Sequence, residues 1–183
     1  PNSANQAMMD VDLRFYDLSS LDLSSSLSDL MYASFDDRTT WPPDDRMPEG
    51  FDWQLIMELG KDPGLGVRSL HAQGITGRGV GIAIIDQTLL VDHQEYAAQL
   101  RLYEETDDIV GGWSESQIHG AAVASIAVGK TVGVAPEADL YYIATARGGD
   151  GKDVTYLARS IQRILEVNEQ LAPDRKIRVI SMQ

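Results

Sequence analysis

The segment from Gly79 to Asp86 constrains the fold of this chain more than any other. It reads GVGIAIID, a nearly continuous run of apolar and mostly β-branched residues. Such a run is typical of a parallel strand that is buried on both faces of a sheet. The run ends in the carboxylate of Asp86, and open α/β sheets place their active sites at the carboxyl ends of parallel strands. The segment therefore predicts an α/β fold and makes Asp86 a candidate functional residue.

A second segment, from His119 to Pro136, predicts a helix followed by a tight return. It reads HGAAVASIAVGKTVGVAP, and its small and apolar residues would make the helix apolar on nearly every side, as in a core helix. Gly129 is expected to end this helix, after which the chain turns toward a predicted strand from Ala138 to Thr145. His119 would lie in the first helical turn, where backbone N–H groups are unpaired and the helix dipole is positive.

Asp86 and His119 are predicted to meet above the carboxyl edge of the sheet. A charged group at a strand end and a histidine at a helix start can approach each other there, because the crossover brings the helix back over the sheet. A single histidine at a helix start is more often a cap or a solvated side chain, and taken alone His119 leaves that interpretation open. Taken together, the two segments favour a contact between Asp86 and His119 over a solvated histidine.

Four sequence blocks together resemble one family of enzymes. They are GITGRGVGIAIID, which ends at Asp86, HGAAVAS, which begins at His119, GVAPEADLYYI, and RVISM from Arg178 to Met182. In this order and spacing they resemble the subtilisin-like serine proteases, or subtilases, over residues 63–183. The resemblance implies an α/β three-layer sandwich with a mostly parallel sheet, subtilisin-like and incomplete at the C-terminus.

The resemblance also implies a serine-type endopeptidase, which hydrolyses peptide bonds through an Asp-His-Ser triad. Asp86 and His119 would be its catalytic residues, and the nucleophilic Ser is expected beyond residue 183, in the family's chain order. No serine of this chain lies in a nucleophile motif, so we expect the chain to be inactive alone. The alternative is a catalytically inactive, subtilase-like pseudoprotease that binds peptides. Gln87, which stands where the family usually has Ser or Thr, and the missing nucleophilic Ser suggest that alternative.

A glycine-rich turn, Arg147 to Asp153, precedes a predicted helix from Val154 to about Gln170. By resemblance, Gly151, Lys152 and Asp153 form a substrate-binding edge that pairs with an extended peptide. A phosphate-binding loop is the alternative for this turn, but the turn lacks the glycine and lysine spacing of such loops.

No cofactor and no metal site are expected. Many subtilisins bind calcium through an asparagine-bearing loop, and the corresponding segment between Gly129 and Gly133 is several residues shorter, so calcium stays only an alternative. Asp92, His93 and Glu95 could supply metal ligands, but the sequence offers no further ligands to complete such a site. The resemblance makes His93 a structural residue instead.

The acidic character of the chain limits the classes of molecule that it is expected to bind. Its 28 acidic and 15 basic residues give a formal net charge of −13, which disfavours nucleic acid and anionic membrane surfaces. No apolar run approaches the ~18 residues of a membrane span, and the absence of cysteine excludes disulfides and thiolate metal sites. The expected partners are a peptide or protein substrate and the C-terminal remainder of the catalytic domain.

Two regions are predicted along the chain. Residues 1–48 would be an N-terminal extension or arm, and residues 49–183 the N-terminal part of a subtilisin-like peptidase domain. Asp17 to Leu30 is rich in Ser, Asp and Leu, which favours short helical turns. Trp41 to Gly50 is rich in proline and has no periodicity, as in a linker. A loosely held arm and a regulatory segment that covers the active site both stay open.

Overall fold

A computed structural model describes residues 11–62, 64–106, 118–145 and 154–182. By its internal contacts the chain divides into two compact units, Pro1–Pro63 and Gly64–Gln183. The predicted boundary after residue 48 marks where the peptidase-like region begins in the sequence. A division by contacts does not test it, so it stays a prediction. Among the helices within the described ranges, none combines the length and the apolar character that a membrane span requires.

The first unit is built from short elements around a cluster of aromatic rings. Its elements are β1 (Val11–Asp12), α1 (Leu27–Leu30), β2 (Ala33–Ser34), a 3-10 helix (Asp44–Arg46) and α2 (Trp53–Gly60), with β1 and β2 paired in parallel. Asp52 caps α2, because its side chain accepts a hydrogen bond from the Leu55 N–H at 2.9 Å. The rings that contact one another belong to Phe35, Trp41, Phe51 and Trp53. Aromatic contacts supply apolar burial that elements of this length cannot provide alone.

The second unit contains a parallel sheet, as the apolar run before Asp86 predicts. Its strands are β3 (Gly81–Asp86), β4 (Leu100–Glu105), β5 (Asp139–Ala144) and β6 (Ile177–Met182). They lie in the order β4-β5-β3-β6, and each neighbouring pair is parallel. β3 therefore lies inside the sheet, and its apolar run is almost entirely buried.

Helices cover both faces of this sheet and make the three-layer arrangement. They are α4 (Ile118–Val128) on one face and α5 (Thr155–Gln170) on the other, and a shorter helix, α3 (Val67–Ala72), precedes β3. One core cluster joins Ile84, Leu140 and Tyr142 of the sheet to Ala124 and Val128 of α4. A second cluster joins Ala83, Ile85 and Ile143 to Ile164 of α5. Successive strand residues point to opposite faces, so the predicted α/β fold with a mostly parallel sheet is confirmed.

The burial of α4 differs from the expectation of a helix buried on nearly every side. Its buried residues are Gly120, Ala124 and Val128, which are spaced four apart and form one stripe along the helix. Ile118 and Ile126 are 89% and 62% exposed. An apolar composition therefore does not by itself bury a helix, since the small residues of the stripe determine which side packs against the sheet.

Two glycines in close contact form the return from α4 to β5. The helix ends at Val128, directly before Gly129 as predicted, and the Gly133 N–H donates to the Gly129 carbonyl oxygen at 2.8 Å. A Cβ on Gly133 would collide with the Gly129 backbone, so close approach requires glycine there. Glu95 holds the residues between, because it accepts from the Thr131 N–H at 2.9 Å and from the Thr131 hydroxyl at 2.7 Å.

Candidate active site

Asp86 lies at the carboxyl edge of the sheet. It is the last residue of β3, and the neighbouring strands β5 and β6 run in the same direction. Its side chain is only 2% exposed, and the Gln87 N–H donates to its Oδ1 at 2.7 Å. An ionised carboxylate is costly to bury unless charged or hydrogen-bonded partners compensate for the lost water. The position therefore requires a further partner for the carboxylate.

His119 is that partner. It is the second residue of α4, and its Nδ1 lies 2.9 Å from Oδ1 and 2.8 Å from Oδ2 of Asp86. Because an ionised carboxylate only accepts, Nδ1 carries the hydrogen and donates, which leaves Nε2 of the neutral ring as an acceptor. The side chain of His119 is 51% exposed. The geometry thus allows the imidazole to take a proton at Nε2 while the buried carboxylate orients the ring.

Gly120 permits this close approach of α4 to the strand end. It is buried and directly follows the histidine. A Cβ at this position would lie 2.9 Å from the Gln87 carbonyl oxygen and 3.0 Å from that of Thr88, and still closer to the Tyr142 hydroxyl. Close-packed interiors leave no room for such contacts, so a larger residue would displace the start of the helix. The glycine therefore sets how near the imidazole comes to the carboxylate.

Tyr142 is a buried neighbour of the pair that the sequence analysis did not single out. Its side chain is fully buried in β5, and its hydroxyl donates to the Gln87 carbonyl oxygen at 2.6 Å. Burial, and then the negative charge of Asp86, raise the pKa of the Tyr142 hydroxyl far above its usual range. The hydroxyl therefore stays protonated and donates. The available signal was a tyrosine inside an apolar strand, since a buried tyrosine hydroxyl needs a partner.

The predicted substrate-binding edge falls outside the described residues. This edge comprises Gly151, Lys152 and Asp153, which follow the last described residue of the preceding range, Thr145. Its role in binding an extended peptide by backbone pairing therefore stays a prediction.

His93 and Glu95 have protein partners, and Asp92 does not join them in a metal site. Glu95 bonds to Thr131, and the His93 ring stacks on Tyr96 with centroids 5.1 Å apart. Within the described ranges, no three His, Cys, Asp or Glu side chains are placed to hold a metal ion. These contacts give His93 and Glu95 a structural role in the loop before β4.

The chain is similar to known proteins over most of its second unit. The family model of the subtilases matches residues 77–182, which is more than half of the 183 residues. The chain is also similar to the subtilisin-like protease PopC of Myxococcus xanthus (strain DK1622), with 39% identity over 87 residues. That match covers 42% of this chain and spans 18% of the relative's length. The matched family segment contains both Asp86 and His119, and the chain belongs to the subtilase family.

Proposed function

We propose that the protein to which this chain belongs is a serine-type endopeptidase. One observation carries the proposal: in a chain of the subtilase family, a buried strand-end aspartate lies 2.8 Å from the Nδ1 of a half-exposed histidine. A relative that matches part of the chain is itself named a subtilisin-like protease. The nucleophilic serine is proposed to lie beyond residue 183, in the chain order Asp, His, Ser that subtilisin has.

In the proposed reaction, the imidazole of His119 is the general base. Its Nε2 takes the proton of the serine hydroxyl as the serine oxygen attacks the peptide carbonyl carbon. The same nitrogen then gives that proton to the leaving amine, and a water molecule later hydrolyses the acyl-enzyme by the same steps. Asp86 stays ionised, holds the ring through Nδ1 and stabilises the imidazolium. Burial of the carboxylate supports this role, since a fixed partner needs little reorganisation during the reaction.

The proposed substrate is an extended peptide. By resemblance, Gly151, Lys152 and Asp153 would bind it as an added strand, so that backbone hydrogen bonds carry the affinity and side-chain pockets carry the selectivity. A half-exposed imidazole supports this proposal, because a substrate carbonyl and a serine must both reach the Nε2 side of His119.

A peptide-binding pseudoprotease is the second candidate. Gln87 and Thr88 favour it, because they stand where the family usually has Ser or Thr and then Gly, next to the catalytic aspartate. In this candidate the Asp86–His119 pair persists without a nucleophile, and the protein holds peptides without cutting them.

Activity of the full-length protein distinguishes the two candidates. The purified protein is assayed with a fluorogenic peptide library and with a serine-directed fluorophosphonate probe. The endopeptidase candidate requires both hydrolysis and stoichiometric labelling, and His119→Ala should reduce hydrolysis by about 10⁴-fold or more. Peptide binding without hydrolysis or labelling would support the pseudoprotease and reject the endopeptidase.

The chain of residues 1–183 provides a second test. Taken alone it should neither hydrolyse peptides above background nor react with the fluorophosphonate, because the proposed nucleophile lies outside it. Stoichiometric labelling of one of its own serines would show that the nucleophile has been misplaced.

A further inference from the structure

Three tyrosines bond the segment that follows Asp86. The bonds run from the Tyr142 hydroxyl to the Gln87 carbonyl oxygen at 2.6 Å, from the Tyr96 hydroxyl to the Leu90 carbonyl oxygen at 2.8 Å, and from the Leu89 N–H to the Tyr103 hydroxyl at 3.4 Å. Tyr96 and Tyr142 are both fully buried, and the rings of Tyr103 and Tyr142 lie 5.9 Å apart. Residues 87–90 are thus held by hydroxyl groups that come from two strands and a loop.

Tyr142 differs from the other two because it contacts the backbone beside both members of the Asp86–His119 pair. Gln87 is bonded twice: its N–H donates to Asp86 Oδ1 at 2.7 Å, and its carbonyl oxygen accepts from Tyr142. On the helix side, the Tyr142 hydroxyl occupies the space that a Cβ of Gly120 would need. A single hydroxyl therefore adjoins the residue after the aspartate and the residue after the histidine.

The residues that follow Asp86 differ from those usual in the family, and Tyr142 bonds them from outside the turn. The Ser or Thr and the Gly that usually follow the family's aspartate support its carboxylate and the tight turn, whereas this chain has Gln87 and Thr88. A hydrogen bond from a rigid, buried ring can fix a backbone group in place of such a local contact. The Tyr142 hydroxyl can act in this way, because its ring packs in the core beneath α4 and burial keeps the hydroxyl protonated.

We propose that Tyr142 is a positioning residue for the Asp86–His119 pair, an assignment that rests on the proposed peptidase function. Through Gln87, its hydroxyl holds the backbone N–H that orients the Asp86 carboxylate toward the imidazole. Through Gly120, it sets the position at which α4 begins. Tyr142 does not touch the substrate, and it acts on catalysis only through the geometry of the pair.

The test compares Tyr142→Phe with Tyr96→Phe in the full-length protein. Each variant removes one hydroxyl from a fully buried ring that bonds a carbonyl of the same segment, but the Tyr96 bond reaches Leu90, farther along the chain from Asp86. Two readouts are measured: kcat and KM on a fluorogenic peptide, and the 1H and 15N signals of the His119 Nδ1–H group in histidine-labelled protein.

Tyr142→Phe should lower kcat by about tenfold with little change in KM, as loss of an outer hydrogen-bond partner does at other sites. It should also shift the His119 Nδ1–H signal, because the carboxylate that accepts this hydrogen is no longer fixed. Both variants should lower the unfolding temperature by similar amounts, because each loses one buried hydroxyl group. Tyr96→Phe should nevertheless leave kcat and the His119 signal close to those of the parent.

An unchanged His119 signal in Tyr142→Phe, or equal effects of the two variants on both readouts, would overturn the proposal and leave Tyr142 a packing residue. The His119→Ala variant separates this outcome from failure of the proposed function. If that variant keeps the parent activity, or if the parent has none, the peptidase assignment fails. The His119 signal then decides by itself whether Tyr142 positions the pair.

Discussion

Asp86 and Asp139 are both buried carboxylates at strand ends of one sheet, but their partners differ. Asp86 ends β3 and is 3% exposed, and Asp139 begins β5 and is 6% exposed. Arg101 Nε donates to Asp139 Oδ1 at 2.7 Å, and Arg175 donates to Oδ2 from Nε at 3.0 Å and from Nη2 at 2.6 Å. The side-chain partner of Asp86 is the imidazole of His119.

The difference lies in whether the partner can lose its proton. A guanidinium stays charged at every accessible pH, and its bonds to Asp139 raise the pKa of Arg175 further. Asp139 is therefore paired with two fixed cations and ties the start of β5 to the start of β4 and to the segment before β6. The imidazole that pairs with Asp86 has one ring nitrogen that donates and one that accepts, so its chemistry differs from that of a guanidinium, which only donates. Burial of a strand-end carboxylate therefore does not by itself indicate catalysis, because Asp139 is also buried and pairs with arginines.

Among substitutions of the two carboxylates, the largest expected effect comes from Asp86→Asn. In the full-length protein it should lower kcat by about 10⁴-fold, because an amide stabilises the wrong imidazole tautomer and cannot stabilise the imidazolium. The measurement is kcat on a fluorogenic peptide, at a temperature at which circular dichroism shows the variant to be folded. Asp139→Asn is the control, and an equal loss of kcat in that folded control would remove the distinction between the two carboxylates.

Gly120→Ala tests whether the pairing of Asp86 with His119 requires the close approach of α4 to the end of β3. The added Cβ meets the carbonyl oxygens of Gln87 and Thr88, so the variant should lose about 1–3 kcal/mol of unfolding free energy, and its activity should fall as the helix start moves. Gly60→Ala is the matched control, because a Cβ at that helical glycine meets nothing within 4 Å. Urea unfolding that gives Gly120→Ala the stability of the parent would contradict the contact.

Asp139→Asn tests the structural side of the comparison. Removing the charge weakens three hydrogen bonds from half-exposed arginines that water can still solvate, so the unfolding free energy should fall by about 1–2 kcal/mol. Chemical denaturation measures the loss, and the exposed Asp174→Asn serves as the control. A stability equal to that of the parent would mean that the arginines contribute nothing measurable to Asp139.

Glu95 is a third carboxylate for the comparison, and its hydrogen-bond donors from Thr131 are neutral. The variant Glu95→Gln removes its charge. Burial acts to raise the pKa of Glu95, but the N–H and hydroxyl of Thr131, together with the Val132 N–H and the charge of Lys130, outweigh it and hold that pKa below its ordinary value of 4.5. A lowered folded-state pKa contributes stability above the unfolded-state pKa, and this stability is lost as the pH falls through the folded-state pKa. Below about pH 4.5, the unfolding free energy of the parent should therefore fall by up to about 1 kcal/mol more than that of Glu95→Gln.

Acid unfolding of the two proteins at matched ionic strength measures this difference. Thr131→Val removes the hydroxyl donor and should flatten part of the same pH dependence. Parallel stability curves for the parent and Glu95→Gln from pH 6 down to about pH 3 would contradict the assigned cause.

The two inner strands and the edge strand β6 could be predicted from the sequence, but the other edge strand, β4, could not. β3 and β5 are apolar runs, and α5 shows its apolar residues at helical spacing, so burial left a clear periodic signal. β4 was missed because it lies at the edge of the sheet and carries Arg101, Glu104 and Glu105, which resemble a polar loop. The pairing with β5 and the ion pair between Glu104 and Arg163 of α5 stabilise it, and both are long-range contacts.

The same limit applies to the candidate site. The approach of Asp86 to His119 could be expected, because strand ends and helix starts meet at one edge of an α/β sheet. The bond from Tyr142 to Gln87 depends on the parallel register that sets Tyr142 beside Ile84, and on the conformation of one ring. Neither is encoded in local spacing. The sequence therefore predicts that Asp86 and His119 come together, but it does not predict the surrounding hydrogen bonds that fix their positions.

The contact between Gly129 and Gly133 gives α4 a fixed end about 15 Å from the imidazole, at 1.5 Å of rise per residue. His119 and this return belong to the same helix, so a change in the direction of the helix at the return would move the imidazole. A rotation of only about 4° at the return would move the imidazole by about 1 Å, a displacement that can cost about 10²-fold in rate. Substitutions in this return, far from the carboxylate, would therefore lower the proposed activity by displacing the imidazole.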